Sequence, residues 1–511
     1  MQSRGRSLLG ALLVFSAPPV CLAGQIPFTP RFEPAECRFL GVEANWAARN
    51  RIECGWLHVE ESRGKPDSRS LRLWTAIARA DKPTDLPPLL YVHGGPGLAT
   101  VDYFFPYFPK SKTWTALRAD RDLVYFDQRG TGRSGPTFCT ELKPELEALR
   151  KQSLPAADSL ERARSVYSAC RARLSATGFA MESLNTSATA DDADDLRQAL
   201  KIDKWSLYGV SYGSLVVLDY LRRHPTRVHA AILDSVYPPN SVHGHEQTTA
   251  TALAYAAVQR ACDRLPECKS RFPDIAGRLS VAVQRLNHAP LATKEGGRIN
   301  GARLRSVLWT MLVGSETVPW VPLAIDRAAA GDESAIRDLD ALFGGFDGFG
   351  DYSPGQALAV NCHDVGVGTK APSVRLANRR FAWLADADAV PEADDVMCSA
   401  WQTAQASMAF LAPVSSDVPI LLYGGEFDPA TPYEDAVLAA RHLSRSTLVE
   451  VTGASHAAMG RDDCTRSIAL AFLRNPARPP DLACLARRKT MTFHSRDLEG
   501  FIKSMKALMS A

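Results

Sequence analysis

The chain has 511 residues, 46% of them hydrophobic, which is enough to bury a large core and to build more than one structural unit. Its 59 Lys and Arg against 56 Asp and Glu leave a formal charge of +3, with no basic stripe or Lys/Arg block, so nucleic acid is excluded as an expected partner.

The first two dozen residues differ from the rest. Arg4 and Arg6 precede an apolar run from Leu8 to Phe15, and small residues at Cys21 and Ala23 fit cleavage after Ala23, so residues 1–23 read as an export signal. The run is too short to span a bilayer in the mature protein. A lipid anchor on Cys21 is the alternative, but Pro18-Pro19-Val20 lacks the small residue expected before such a cysteine. The mature chain is therefore expected in a periplasm or outside the cell. Ten cysteines remain and fall by proximity into neighbouring couples: Cys37 with Cys54, Cys139 with Cys170, Cys262 with Cys268, Cys362 with Cys398, and Cys464 with Cys484. Local pairing of this kind suits an oxidising compartment, and each bridge stabilises by about 2–4 kcal/mol. The alternatives are buried thiols or a metal site, but no cysteine or histidine cluster has structural zinc spacing.

From Pro34 to Ala78 short runs alternate in polarity, as in Ile52–Val59 and Ser70–Ile77, and read as antiparallel edge strands. Pro87–Val92 is a continuous apolar strand running into His93-Gly-Gly-Pro-Gly97. Such a glycine loop brings backbone N–H groups close to a ligand, and Gly95, with Gly94 as the alternative, is the expected donor. A further strand, Asp122–Phe126, enters Asp127-Gln-Arg-Gly-Thr-Gly-Arg-Ser134, where Asp127 and Arg129 are expected to pair and fix the loop.

Ala188–Leu200 reads as a helix, and the apolar strand Trp205–Tyr208 then ends in Gly209-Val-Ser-Tyr-Gly213 before a second helical pattern begins at Ser214. Strand, sharp turn and helix with serine at the apex make a G-x-S-x-G nucleophile elbow. The strained turn needs residues without side chains two positions either side of Ser211, and Gly209 and Gly213 supply them. The Tyr212 N–H is then aimed at the oxygen of an attacked carbonyl.

His93-Gly-Gly-Pro-Gly97, Asp127-Gln-Arg-Gly130 and Gly209-Val-Ser-Tyr-Gly213, in that order and spacing, resemble the proline iminopeptidase family of α/β-hydrolases, and most closely its exported, cysteine-bearing branch with the tripeptidyl aminopeptidases. The likeness runs from about Cys37 to Cys484. It implies a mostly parallel central sheet flanked by helices, with a large, mainly helical cap inserted between strands. The expected boundaries are a first core part at 24–237, the cap at 238–415, and a second core part with a tail at 416–511.

Val228–Leu233 and Val418–Tyr423 read as sheet strands, and the stretch between them is mostly helical, with a glycine- and phenylalanine-rich run at Gly344–Gly350. In the resembling family the cap presents carboxylates to the free α-amine of a peptide. Glu246, Glu316, Asp351 and Asp364 are available here, and Asp364 and Glu246 are the expected pair. After Tyr423 comes Gly424-Gly-Glu-Phe-Asp-Pro-Ala-Thr-Pro432, in which Asp428 matches the family's triad acid and Glu426 is the competing carboxylate. Ser446–Val451 then leads to His456 on a loop of small residues, so Ser211, Asp428 and His456 follow one another in the order of an α/β-hydrolase triad. Beyond Arg487 the charge rises and the periodicity weakens, and no function is assigned there.

The activity these readings imply is exported serine aminopeptidase chemistry on short peptides with a free N-terminus, with no cofactor or metal. The rivals are a carboxylesterase using the same residues and, more remotely, an inactive secreted binding protein on the same scaffold.

Overall fold

The structure is a computed structural model that describes residues 28–509, apart from 40–41, 44, 106–109, 136–137, 140–141, 153, 242–246, 294–295, 346–351, 366–369 and 385–392. The expected export signal, Glu246, Asp351 and most of the Gly344–Gly350 run lie outside the described residues.

Nine strands form the central sheet: β1 Arg31–Ala35, β2 Ile52–Glu60, β3 Ser70–Ala78, β4 Leu89–Val92, β5 Leu123–Phe126, β6 Trp205–Val210, β7 Val228–Asp234, β8 Ile420–Gly425 and β9 Ser446–Val451. Their spatial order is β1-β2-β3-β5-β4-β6-β7-β8-β9. The pairs β1/β2, β2/β3 and β3/β5 are antiparallel, and the remaining pairs are parallel. The parallel strands are short apolar runs because both faces are covered. Leu90, Val92, Leu207, Leu233 and Leu422 feed the core on one face, while Leu89, Tyr91, Tyr208, Ile232 and Tyr423 feed the other. Side chains alternate across a strand, so each strand stitches two cores together.

The chain moves from β4 outward to β5, then returns to the other flank of β4 with β6. That reversal opens a crevice at the carboxyl ends of β4 and β6, the place where open α/β sheets bind ligands. Two helices flank it. Helix α1, Thr186–Ala199, is capped by Asn185, whose side chain accepts from Ala188 N, and α2, Tyr212–Arg223, starts immediately after Ser211.

Between β7 and β8 the described chain is mainly helical and includes Gln247–Asp263, Ile275–His288, α3 Gly301–Val313, Val321–Ala330, Glu333–Phe343 and α4 Pro354–Val365. These helices carry an apolar cluster of their own, with Val258, Leu279, Leu308, Ile325 and Leu339 buried in it. Contacts from this segment reach the carboxyl edge of the sheet. Ser353 N donates to Gly97 O at 2.7 Å, and Ser455 N donates to Ser315 Oγ at 2.8 Å.

After β9 come α5, Asp463–Arg474, with a capping box at Asp462 and Thr465, and α6, Leu498–Met509. Helix α6 forms beyond Arg487, in the stretch where the sequence periodicity weakens. Leu498, Phe501 and Ile502 stand at helical spacing and are buried in the core of the inserted helices, where Phe501 stacks on Trp320 with ring centroids 4.6 Å apart. Disulfides join Cys37–Cys54, Cys139–Cys170, Cys262–Cys268, Cys362–Cys398 and Cys464–Cys484. No helix among the described residues is long and apolar enough to cross a membrane.

Candidate active site

Ser211 sits between β6 and α2 with φ 57° and ψ −129°, a strained backbone for a residue with a side chain. The flanking glycines are required by contact. A Cβ on Gly209 would fall on the Gly213 carbonyl, and one on Gly213 would fall on the Val92 carbonyl. The helix N-terminus follows at once, so the Tyr212 N–H belongs to the first turn, where backbone donors lack intrahelical acceptors. The Tyr212 side chain is buried away in the core, with its hydroxyl 2.9 Å from Thr186 Oγ1. The glycine loop after β4 closes on the serine. A Cβ on Gly94 would lie 2.7 Å from Ser211 Cβ and 3.2 Å from Ser211 Oγ, while Gly95, at φ 117°, turns the loop into Gly97.

Asp428 stands three residues beyond β8 and is 2% exposed. Its Oδ1 accepts from Ala430 N at 2.9 Å and Thr431 N at 3.0 Å, and its Oδ2 accepts from Thr431 Oγ1 at 2.9 Å. His456 Nδ1 approaches both oxygens, at 3.0 and 2.8 Å. A carboxylate on Nδ1 fixes the proton there and leaves Nε2 as the basic nitrogen. Burial pushes the Asp428 carboxyl up, but the imidazole's charge and hydrogen bond, with the amides of Thr431 and Ala430, outweigh it and hold the group below its ordinary value. Burial likewise lowers His456, yet the charge and hydrogen bond of Asp428, helped by Asp234, leave its pKa raised. His93, at the foot of the glycine loop, is pushed down to about 3 by burial and by His456, and stays neutral.

The structure thus brings Asp428 and His456 into contact and sets Ser211 at the end of β6, with β7 between it and β8. The Ser211 hydroxyl makes no hydrogen bond within 3.5 Å among the described residues. Serine–histidine contacts are commonly long without substrate and tighten in the Michaelis complex.

Other expected residues are placed differently. Arg129 does not pair with Asp127. Its guanidinium grips Asp192 of α1 at 2.6 and 2.7 Å, while Asp127 accepts from the Thr100, Val101 and Arg133 amides. Backbone donors crowd the Asp127 carboxylate, so the arginine is free to tie the loop to the helix instead. Glu426 accepts from Gly453 N and pairs with Arg264 at 3.0 Å, so it braces the strand ends. Asp364, on α4, is 4% exposed, with its carboxylate engaged by Thr186 Oγ1 at 2.5 Å and His363 Nδ1 at 2.8 Å. Glu316, between α3 and Val321–Ala330, keeps a side chain 74% exposed and meets Arg461 at 2.8 Å.

Several residues not singled out in the sequence serve this constellation. Thr431 braces Asp428, and Arg461 donates to the carbonyls of His456 and Ala457, each at 2.9 Å. Asp234 and Ser235, at the end of β7, hold the histidine loop by its amides. An acid closing a parallel strand beside the strand that carries Ser211 was the available signal for Asp234.

Residues 87–257 match the family described as alpha/beta hydrolase fold, and residues 387–484 match that described as TAP-like protein. Tripeptidyl aminopeptidase of Streptomyces coelicolor is 25% identical over 452 residues, covering 82% of this chain and 80% of the relative. Carboxylesterase B of Mycobacterium tuberculosis is 26% identical over 523 residues, covering 93% and 98%. Serine protease Hip1 of the same organism is 24% identical over 461 residues, covering 84% and 86%. Among solved structures, proline iminopeptidase of Mycobacterium smegmatis is 16% identical, covers 82% of this chain and 98% of its own, and has a TM-score of 0.39. With its mostly parallel sheet flanked by helices, the chain is a serine hydrolase of the α/β-hydrolase fold, similar over most of its length to the tripeptidyl aminopeptidases.

Proposed function

We propose that the protein is a serine aminopeptidase that cleaves amide bonds near the free N-terminus of short peptides, with Ser211 as nucleophile, His456 as base and Asp428 as the acid that orients it. The observation that carries this reading is the two-oxygen contact of Asp428 with His456 Nδ1, on a loop neighbouring the strained Ser211 elbow. Ser211 Oγ attacks the carbonyl carbon as His456 Nε2 takes its proton, and the oxyanion is held by the Tyr212 and Gly95 N–H groups. His456 then gives the proton to the departing amine, leaving an ester on Ser211. Water, deprotonated by the same nitrogen, hydrolyses that ester and restores the enzyme. None of these steps draws on a cofactor.

The amine end of the substrate calls for an anion, because a partly desolvated ammonium is costly without one. Asp364 and Glu246 are the cap acids expected for this role, the Asp364 carboxylate already meeting Thr186 and His363, and Glu316, paired with Arg461, adds an exposed carboxylate beside the histidine loop. Five disulfides favour action in an oxidising compartment, in keeping with export.

The test is a panel of free-amine amino-acid, dipeptide and tripeptide anilides alongside their N-acetylated forms. The reading expects acetylation to lower kcat/KM by at least tenfold, since a neutral amide leaves the anion unpaired (about 1.4 kcal/mol per tenfold). Carboxylesterase action is the second reading, favoured by the relative named carboxylesterase B. Indifference to acetylation, with faster turnover of simple esters, would establish it instead.

A further inference from the structure

Asp234, which ends β7, and Ser235, which follows it, touch all three arms of the proposed catalytic group. The main-chain oxygen of Asp234 accepts from Ser211 N at 2.9 Å, which ties it to the nucleophile. Its carboxylate accepts from Ala458 N at 2.8 Å through Oδ1, and from Met459 N and the Tyr208 hydroxyl, both at 3.0 Å, through Oδ2. Ser235 Oγ accepts from Ala457 N at 2.8 Å, and Ser235 N donates to Tyr423 O on β8, the strand that delivers Asp428, at 3.0 Å. Three consecutive amides immediately after His456 are therefore held by two consecutive side chains whose backbone also holds Ser211. Asp234 and Ser235 are both 0% exposed, and Ser235 and Ala457 adopt positive φ of 54° and 58°. Strain on both sides of one hydrogen bond persists only when surrounding contacts over-determine it.

We propose that Asp234 and Ser235 are positioning residues that set the separation of Ser211 from His456, and that the Asp234 carboxylate also supports the imidazolium formed during attack. The proposal rests on the reading of Ser211, His456 and Asp428 as nucleophile, base and acid. It extends that reading because a fully buried carboxylate with three donors around it, on a residue whose main-chain oxygen also holds Ser211 N, is more than an end-of-strand cap. Its amide partners make the histidine loop follow any movement of β7. The charged and titratable groups facing the imidazole are Asp428 from the loop after β8, Asp234 from β7, His93 from the loop after β4 and Arg461 from its own loop. Of these, only the two aspartates favour the charged ring. Asp234 acts from behind the loop and touches no substrate, so its effect reaches the reaction through His456.

The experiment compares Asp234→Asn and Ser235→Ala with wild type, using kcat, KM, the pH dependence of kcat/KM and the thermal midpoint, with Ser211→Ala and His456→Ala in the same assay. Asp234→Asn keeps the shape but loses the charge and one acceptor. It is expected to lower kcat about 10²-fold, the loss typical of a misplacement near 1 Å, with KM within threefold. The acid limb of kcat/KM should move to lower pH, because removing a negative charge lowers the imidazole's pKa. Ser235→Ala, which removes a neutral acceptor, should lower kcat about tenfold and leave the limb in place. Folded variants with kcat within twofold of wild type and an unmoved limb overturn the proposal. So does a loss in Asp234→Asn that merely tracks the fraction unfolded, with the surviving activity titrating as wild type. If Asp234→Asn does not fold, Ser235→Ala decides alone: tenfold slower supports the proposal and wild-type kcat overturns it. Activity surviving in Ser211→Ala or His456→Ala brings down the triad reading itself. Activity lost in those two but intact in the β7 variants brings down only the bridge.

Discussion

In the proposed mechanism His456 is the base, and its strength is set by what surrounds it. Burial works against its charged form, and the Asp428 carboxylate, itself held by two amides and a threonine hydroxyl, more than offsets burial. Because its pKa is raised above the ordinary 6.5, the neutral ring needed for attack is lost as pH falls through a value higher than that. The acid limb of kcat/KM is therefore expected above pH 6.5, and Asp428→Asn should move it downward. The same change should cut kcat by about 10⁴-fold by freeing the wrong tautomer, without disturbing the fold. A pH–rate profile of the two proteins checks both signs. At this scale the sequence was informative where chemistry forces residue type. Ser211 needs glycine at 209 and 213, and Asp428 is framed by Pro429 and Pro432. It was uninformative where a residue acts through hydrogen bonds that chain order does not reveal. Asp234, Thr431 and Arg461 are ordinary polar residues until β7, β8 and the histidine loop are folded together. Arg129 misled for the same reason, since its partner Asp192 lies 63 positions away.

The elbow and the sheet are elements whose geometry leaves little freedom. A methyl group on Gly213 meets the Val92 carbonyl and, nearby, that of His93. Both are backbone atoms, one at the end of β4 and one at the foot of the glycine loop, so the clash cannot be relieved by turning a side chain. Gly213→Ala is expected to push the start of α2 away from the end of β4, lowering stability by more than the roughly 1–3 kcal/mol of ordinary overpacking and abolishing activity in the folded fraction. Urea unfolding with parallel activity assays measures it. The strands themselves were legible because both faces are buried, giving Leu89–Val92 and Ile420–Tyr423 as unbroken apolar runs and Trp205–Val210 as one interrupted by Ser206 and Gly209. Helix α6 was overlooked although Leu498, Phe501, Ile502 and Met505 repeat at helical spacing, because the charged residues between them dilute the local hydrophobicity.

At the scale of the molecule, the second core formed by the inserted helices is closed by the chain's own C-terminal helix. Phe501 stacks on Trp320 and lies 6.2 Å from Phe343, while Glu499 pairs with Arg327 and Lys506 with Asp338. Removing the ring leaves a cavity in that core, so Phe501→Ala is expected to cost about 3–5 kcal/mol. The loss should appear as a lowered denaturation midpoint, with the Ser211 elbow unaffected because the two cores are separate clusters. The resting separation of Ser211 from His456 belongs to this scale as well, since β7 holds both loops by hydrogen bonds while Leu312 of α3 and Ser315 brace the histidine loop from the inserted segment. The most direct measurement is therefore covalent. The purified protein is treated with a fluorophosphonate and the adduct is located by peptide mass spectrometry, beside a His456→Ala control. The account predicts stoichiometric modification of Ser211 in wild type and labelling at least 10²-fold slower in the control. An adduct on any other serine, or labelling of Ser211 at an equal rate without the imidazole, would contradict it.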